Sequence, residues 1–187
     1  MSKSERRLPY KPADTTEPRD VVDAIRKRRG GRLMHLDRML LYSPPYAKGW
    51  NALMGAVRNE LGVPPKLREL AICTVGALTG AEYEFHHHAP LLVQAGGTPA
   101  QVEALRRLVS SSVDSDLFDV GERAVVRFAF ELTRNVAVAD ATFEAARAAL
   151  GSDQLVVELI AVVAAYNMAA RFLVALQVTP EPESAAH

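Results

Sequence analysis

The chain contains a single cysteine, Cys73, among its 187 residues. One cysteine cannot form a disulfide within the chain, and it cannot build a metal site from several thiolates. Disulfide-stapled secreted domains and thiolate zinc proteins are therefore excluded. So low a cysteine content is compatible with a reducing compartment.

Net charge is absent as well, because Lys and Arg together number 22 and Asp and Glu also number 22. Without an overall positive field to attract a phosphate backbone, nucleic acid is not expected to be a partner. The one local exception is the basic run RKRRGGR, residues 26–32. Cations are favourable near a helix C-terminus, so this run is typical of a solvated helix end followed by a glycine turn.

The N-terminal segment lacks an apolar core. Residues 1–20, MSKSERRLPYKPADTTEPRD, do not have the apolar stretch of a signal peptide, and no apolar run in the chain approaches the roughly 20 residues of a membrane span. We therefore expect a cytoplasmic protein without a membrane partner.

Strand patterns are missing from the rest of the chain. From Asp20 onward, apolar residues recur at spacings of three and four, without sustained alternation or enrichment in β-branched residues. This periodicity predicts an all-α fold. The predicted helices cover residues 20–29, 33–42, 45–60, 65–78, 81–95, 99–109, 119–136, 140–150 and 153–177.

Local punctuation supports these helix ends. In GGTPAQVEAL, Gly96 or Gly97 ends one helix in a left-handed turn, and Thr98 caps the next. Pro99 occupies the first helical position, and Gln101 completes a capping box. The segment therefore predicts two helices joined by a tight turn.

The length fits one domain. Residues 1–18 contain three prolines and little apolar content, which predicts a flexible arm. We expect a single all-α domain over residues 19–178 and a disordered tail over residues 179–187.

Three predicted helices are apolar on nearly all faces: LAICTVGAL, LLVQA and LVVELIAVVAAYNMAARFLVAL. Such helices must lie centrally or be covered by another chain. So short a chain has little mass to cover three of them, which favours a subunit interface. We expect a homo-oligomer, with a dimer, a trimer or a hexamer as alternatives.

Polar side chains concentrate in TGAEYEFHHHAPLLVQAGG, residues 79–97. On a helix Glu84 lies beside His88, whereas successive histidines differ by about 100° of rotation. His86, His87 and His88 therefore cannot converge on one metal from a regular helix. We expect no metal; the alternative is a site in which His88 and Glu84 are partial ligands and the other ligands come from elsewhere in the chain.

Two interpretations of the Glu84–His88 pair remain open. Such pairs are common on solvated surfaces, where they contribute at most a few tenths of a kcal/mol. Here apolar segments flank the pair, and desolvation beside a carboxylate can bring a histidine into working range near neutral pH. The second interpretation predicts acid–base catalysis, whereas His86 and His87 fit solvated or interface positions.

Four further residues are candidates for substrate binding: Tyr83, His87, Tyr166 and Arg171. Tyr166 and Arg171 lie on the last, apolar helix, where polar groups need partners. Arg171 is the candidate for a buried cation that binds a substrate carboxylate, with a structural ion pair as the alternative. Tyr166 and its neighbour Asn167 have hydrogen bonding between helices as their alternative.

The segment LRELAICTVGALTGAEYEFHHHAPLLVQAGGTPAQVEAL, residues 67–105, resembles the carboxymuconolactone decarboxylase and alkyl hydroperoxidase D (AhpD-like) superfamily. The resemblance extends through ERAVVRFAFELTRN and LVVELIAVVAAYNMAARFL, and its most specific part is the pattern of helix, glycine and capped helix around residues 81–105. Members of that superfamily are small, all-α and oligomeric, so the resemblance implies an AhpD-like helical bundle.

The hydroperoxidase branch of this superfamily carries a glutamate, a cysteine twelve residues later, a second cysteine three further on and a histidine four after that. The matching positions here are Glu69, Ala81, Glu84 and His88, so both cysteines are absent. A thiol peroxidase needs a thiolate nucleophile and usually a resolving partner. Cys73 is a poor substitute, because it follows Glu69 by one turn of an apolar helix and a nearby carboxylate raises a thiol pKa. We predict a buried core thiol.

The decarboxylase branch resembles the chain more closely at the site, since it carries Glu and His four residues apart. The resemblance implies a cofactor-independent carboxy-lyase that acts on a small carboxylic acid or lactone. His88 would protonate the carbon left behind, Glu84 would orient or charge His88, and Glu69 would complete a relay. The alternatives are a peroxidase- or peroxiredoxin-related oxidoreductase and an oligomeric binding protein without catalysis.

Overall fold

The computed structural model describes residues 7–108 and 116–182. Over those residues the chain forms nine α-helices and no strand, which confirms the all-α prediction. All nine predicted helices are present. The largest difference is at the second, predicted over residues 33–42 and observed over His35–Leu40, and the sixth ends at Arg106 instead of residue 109. The helices are α1 (Arg19–Arg28), α2 (His35–Leu40), α3 (Pro44–Asn59), α4 (Pro65–Thr79), α5 (Glu82–Gln94), α6 (Pro99–Arg106), α7 (Val120–Asn135), α8 (Asp140–Leu150) and α9 (Asp153–Leu176).

The turn between α5 and α6 has the predicted chemistry. Gly96 adopts a left-handed conformation with φ of +96°, which costs glycine little because it has no Cβ. The Thr98 hydroxyl accepts a hydrogen bond from the Gln101 amide, and the Gln101 side chain accepts one from the Thr98 amide. This reciprocal capping fixes where α6 begins.

The chain forms two compact units, Met1–Glu60 with Ala175–His187, and Leu61–Val174. In the first unit α3 packs against α1 and α2. The side chain of Asp37 is fully buried there and forms salt bridges of 3.4 Å with Arg28 and 3.2 Å with Arg29. The basic run is therefore not only a solvated helix end, because two of its arginines neutralise a buried carboxylate.

Terminal segments take part in the first unit. The Tyr10 ring stacks on His35 with centroids 4.1 Å apart, and the Tyr10 hydroxyl accepts from the Thr179 amide at 3.0 Å. The His35 amide donates to Glu181 Oε1 at 2.6 Å. Parts of the predicted arm and tail are therefore hydrogen-bonded, while residues 1–6 and 183–187 of those predictions lie outside the described residues.

The second unit is organised around α4, which packs against α5, α6 and α7. Cys73 is fully buried in this core, which confirms the prediction of a buried thiol. The residues of the core cluster are Leu70, Cys73, Leu78, Phe85, Leu92, Leu105, Leu108, Phe118 and Val126.

Within the described residues, α9 is the one helix long and apolar enough to cross a membrane by length and composition. The expectation that no apolar run approaches membrane length is therefore wrong, because it counted uninterrupted runs and a helix of 24 residues accommodates Glu158 and Arg171. Of the apolar window, 44% is buried inside the structure. Core helices of soluble proteins meet the same criterion, so it is weak evidence for a membrane span.

Some apolar side chains remain exposed on the helices predicted to be covered. Val157 and Val174 on α9 are 64% and 45% exposed, and Leu91 and Val93 on α5 are 41% and 42% exposed. That a second subunit covers them stays a prediction.

Candidate active site

The hairpin of α4 and α5 brings Glu69 to His88. Gly80 turns the chain with φ of +69°, and a Cβ at Gly76 would lie 3.2 Å from the Phe85 amide nitrogen, so the two helices approach closely. Glu69 lies on α4 before the turn, and His88 lies on α5 after it. Glu69 Oε2 lies 2.6 Å from His88 Nδ1.

The opposite side of the imidazole is held by α9. The Tyr166 hydroxyl lies 3.1 Å from His88 Nε2, and the two rings are nearly perpendicular, at 89° with centroids 5.0 Å apart. Glu69 is 4% exposed, His88 5% and Tyr166 0%. Three helices thus supply one buried chain of carboxylate, imidazole and phenol.

Arg68 extends this chain toward the surface. Its Nε donates to Glu69 Oε1 at 3.3 Å, and its side chain is 19% exposed. Sequence reasoning missed this contact, because residues one apart on a helix point in different directions. Only the length of the arginine side chain allows it to reach back to its neighbour.

The charge of Glu69 follows from these contacts. Burial raises the pKa of the Glu69 carboxyl, but the hydrogen bond and the charge of His88, and the guanidinium of Arg68, outweigh burial and hold that pKa below its usual value. The carboxylate is therefore ionised at neutral pH and accepts a hydrogen bond from His88 Nδ1–H. This contact fixes the orientation of the imidazole.

Glu84 is buried on α5, one turn before His88. It was predicted to orient His88. In the structure, Glu69 and Tyr166 orient His88 instead, because they form hydrogen bonds with its two ring nitrogens. The i to i+4 spacing placed Glu84 on the same side of the helix but could not show that residues from other helices reach the nitrogens.

The structure places two further candidates on α5 beside each other. Tyr83 is buried and its ring meets the His87 ring edge-on, with centroids 4.5 Å apart. His87 also contacts the exposed His86, with ring centroids 5.1 Å apart. The consecutive histidines thus point in different directions, as expected from helical rotation.

The expectation of a buried Arg171 is wrong. Arg171 is exposed, and its Nη1 donates to the backbone oxygen and to Oδ1 of Asn167, both at 2.8 Å. A separation of five residues rotates it about 140° from Tyr166 around α9. Asn167 Nδ2 donates to Thr133 Oγ1 at 2.9 Å, which is the predicted hydrogen bond between helices.

Cys73 lies one turn after Glu69 on α4. Burial raises the pKa of its thiol well above the usual range, and the charges of Glu69 and Glu84 raise it further, while Arg106 offsets only part of the shift. The thiol therefore stays protonated at neutral pH, and a protonated thiol is a weak nucleophile.

No cluster of three or more His, Cys, Asp or Glu side chains is placed to hold a metal ion in the described part of the chain. The chemistry that the observed arrangement can perform is proton transfer. Glu69 stabilises a positive imidazole, and the imidazole exchanges a proton through Nε2.

Comparison with known proteins agrees with this architecture. Residues 44–127 match the sequence model of the carboxymuconolactone decarboxylase family. No curated protein matches the chain in sequence. An uncharacterised peroxidase-related protein from Silicibacter sp. TM1040 has a similar structure, with a TM-score of 0.77 and 20% identity over 99% of this chain and 96% of that chain.

Two further structures share the fold. The AhpD-core protein from Ralstonia eutropha JMP134, also described as peroxidase-related, has a TM-score of 0.78 and 19% identity over 95% of this chain and 93% of that chain. A cysteine-to-alanine variant of the debrominase Bmp8 in complex with 2,3,4-tribromopyrrole has a TM-score of 0.75 and 16% identity over 95% and 94% of the two chains. Residues 44–127 thus carry a segment of the carboxymuconolactone decarboxylase family, and the helical fold of the chain is the one seen in AhpD-like structures.

Proposed function

We propose that this protein is a cofactor-independent acid–base enzyme of the decarboxylase type, acting on a small carboxylic acid or lactone. One observation carries the proposal: a buried carboxylate, Glu69, lies 2.6 Å from Nδ1 of a buried histidine, His88. A histidine held in this way can keep a proton and release it at a defined place.

Decarboxylation makes modest demands on such a site. When the bond between the carboxylate and the adjacent carbon breaks, the electron pair stays on that carbon, which must then take a proton. His88 is the source of that proton, and Glu69 stabilises its charged form. The low exposure of the pair excludes water, which strengthens these electrostatic contacts.

The thiol peroxidase alternative has less support from the residues of this chain. Burial and two carboxylates raise the pKa of Cys73, the only cysteine. Peroxidase-related proteins share the fold, but at 20% and 19% identity their likeness concerns the fold alone. The acid–base reaction uses groups that are present and in contact.

Turnover by a His88→Ala variant tests the proposal. The probes are carboxymuconolactone and related small lactone carboxylates, with release of carbon dioxide as the readout; 2,3,4-tribromopyrrole and an organic hydroperoxide represent the other chemistries. We expect the wild type to decarboxylate a lactone carboxylate and His88→Ala to lose about 10²- to 10⁴-fold in kcat.

His86→Ala is the matched control, because His86 is an exposed histidine of the same helix. It should retain wild-type turnover. A folded His88→Ala variant with unchanged turnover would refute the proposal, and so would a wild type that decarboxylates none of the lactone and carboxylic acid probes.

We further propose that the protein acts as a cytoplasmic homo-oligomer. The support is the balanced charge and the exposed apolar side chains on α5 and α9, including Val157 at 64% exposure. Sedimentation velocity tests the assembly: a Val157→Glu variant should sediment as a smaller species than the wild type, and a monomeric wild type would contradict it.

A further inference from the structure

His88 has no ring nitrogen left for a substrate in this arrangement. Nδ1 is bonded to Glu69 at 2.6 Å and Nε2 to Tyr166 at 3.1 Å, and the residue is 5% exposed. A proton that leaves His88 through Nε2 must therefore pass the phenolic oxygen of Tyr166, unless that hydroxyl is displaced.

We propose that Tyr166 is a catalytic residue, whose hydroxyl delivers the proton to the substrate. His88, stabilised in its charged form by Glu69, then returns a proton to the Tyr166 oxygen. This inference rests on the proposed acid–base function and names the atom that contacts the reacting carbon. Its basis is the order of the buried contacts, from carboxylate to imidazole to phenol.

The hydrogen positions follow from the charges around the ring. Glu69 is ionised, and a separation of 2.6 Å is as short as a charge-assisted hydrogen bond from an imidazolium. Arg68 is bonded to Glu69, and Glu84 is buried on α5 one turn before His88. In the imidazolium form Nε2–H donates to the Tyr166 oxygen, so the Tyr166 O–H is directed away from His88.

The hydrogen bond from a cation makes the phenol a stronger acid, because it stabilises the phenolate. The transfer then balances. The carbon–carboxylate bond breaks with its electron pair left on carbon, and that carbon takes the hydroxyl proton of Tyr166. The phenolate takes the Nε2 proton of His88, which becomes neutral and regains a proton from solvent. No atom is oxidised or reduced by an external reagent.

Tyr166 is supplied by α9, whereas Glu69 and His88 come from α4 and α5. The residue is fully buried, so the substrate reaches the hydroxyl only when the helices around it open locally.

A Tyr166→Phe variant tests the role, with a lactone carboxylate that the wild type decarboxylates as the probe. It removes one oxygen and keeps the ring. We expect kcat to fall at least about 10²-fold while KM changes little, because the proton is needed only in the transition state. Combining it with His88→Ala should add little further loss, since the two residues act as a unit.

Tyr46→Phe is the matched control, since it removes the hydroxyl of a tyrosine on α3 that is 40% exposed, and it should keep wild-type kcat. Wild-type kcat in Tyr166→Phe with an inactive His88→Ala variant would overturn the Tyr166 assignment and leave the acid–base function standing. Unchanged kcat in both variants would refute the acid–base function itself.

A measurement without substrate keeps the assignment falsifiable if Tyr166→Phe does not fold. In ¹⁵N-histidine NMR spectra of the wild type at the pH of maximal activity, with His88→Ala for assignment, we expect two ring N–H signals from His88. A neutral His88 without a proton on Nε2 would overturn the proposal, because the Tyr166 hydroxyl would then donate to His88.

Discussion

Two buried polar clusters lie along α4, and they are built from different kinds of groups. The first joins Glu69 to His88 and Tyr166. The second is centred on Glu122 of α7, whose Oε1 forms a salt bridge with Lys66 at the start of α4. Both contain a glutamate that is 5% exposed or less.

The groups of the second cluster form hydrogen bonds with one another and with the backbone. Glu122 Oε2 accepts from Gln101 Nε2 at 2.8 Å and from the Asp119 amide at 3.1 Å. Gln101 Nε2 also donates to the Leu117 carbonyl at 2.8 Å. These contacts satisfy the start of α7 and join it to α4 and α6, so the cluster stabilises the fold.

The difference shows which buried polar cluster can perform chemistry. The second cluster is made of a lysine, a carboxylate and amides whose contacts join α4, α6 and α7. The first cluster contains an imidazole, a group that can both accept and donate a proton, and a phenol bonded to it. Burial alone therefore does not identify the site. A series of hydrogen-bonded groups that can exchange protons does.

Among the variants that compare the two clusters, Glu69→Gln has the largest expected effect on turnover. Glutamine keeps the size of the side chain but cannot stabilise an imidazolium by charge, so we expect kcat for the lactone carboxylate probe to fall about 10²- to 10³-fold. Circular dichroism should show an intact fold. Glu122→Gln is the matched control in the other cluster. Equal losses of kcat in the two variants would contradict the proposal that only the first cluster takes part in catalysis.

Glu122→Ala should produce the largest loss of stability. It removes the acceptor for Gln101, Asp119 and Lys66, and we expect a loss of about 2–4 kcal/mol in the free energy of unfolding, measured by urea denaturation. Turnover by the folded variant should remain near that of the wild type. Glu103→Ala, at a side chain that is 55% exposed, should change stability by less than about 0.5 kcal/mol. A Glu122→Ala variant as stable as this control would show that the second cluster is not structural.

Cys73→Ala should have a smaller effect. Removing a buried sulfur from a packed core costs about 1–2 kcal/mol of stability, while decarboxylation should continue at the wild-type rate because the buried thiol takes no part. Urea denaturation and carbon dioxide release measure the two effects. A folded Cys73→Ala variant without activity would show that the reaction depends on the thiol and not on His88.

The pH dependence of stability is the smallest effect. The pKa of Glu69 is lowered in the folded state from an ordinary value of 4.5. Its contribution to stability is therefore fully present above that ordinary value and is lost as the pH falls through the folded pKa. Denaturation across an acidic pH series should show a steeper loss for the wild type than for Glu69→Gln. Identical slopes would mean that the contacts of Glu69 do not stabilise its charged form.

The helices could be predicted because their signals are local. As expected, the capping box of Thr98 and Gln101 begins α6, and Gly96 adopts a left-handed conformation after the end of α5. The apolar periodicity supplied the rest of the pattern, since a helix needs one apolar face in any packing.

The contacts of the site were less accessible to sequence reasoning. Glu69 and His88 were both candidates, but the spacing of four residues assigned the orienting contact to Glu84 instead. Tyr166 follows His88 by 78 positions, and Arg171 on the same helix proved to be exposed. Contacts between helices depend on their rotation and separation, which a single sequence does not specify.

The bare backbone at Gly76 has a consequence for how this site tolerates change. With the Phe85 nitrogen only 3.2 Å from where a methyl group would sit, any larger residue must push one helix of the hairpin outward by a few tenths of an ångström. Glu69 lies on one of those two helices and His88 on the other. The absence of a side chain at Gly76 therefore sets the distance between the two helices. A substitution at Gly76, remote from every reacting atom, would thus slow proton transfer only by changing the distance between the two helices.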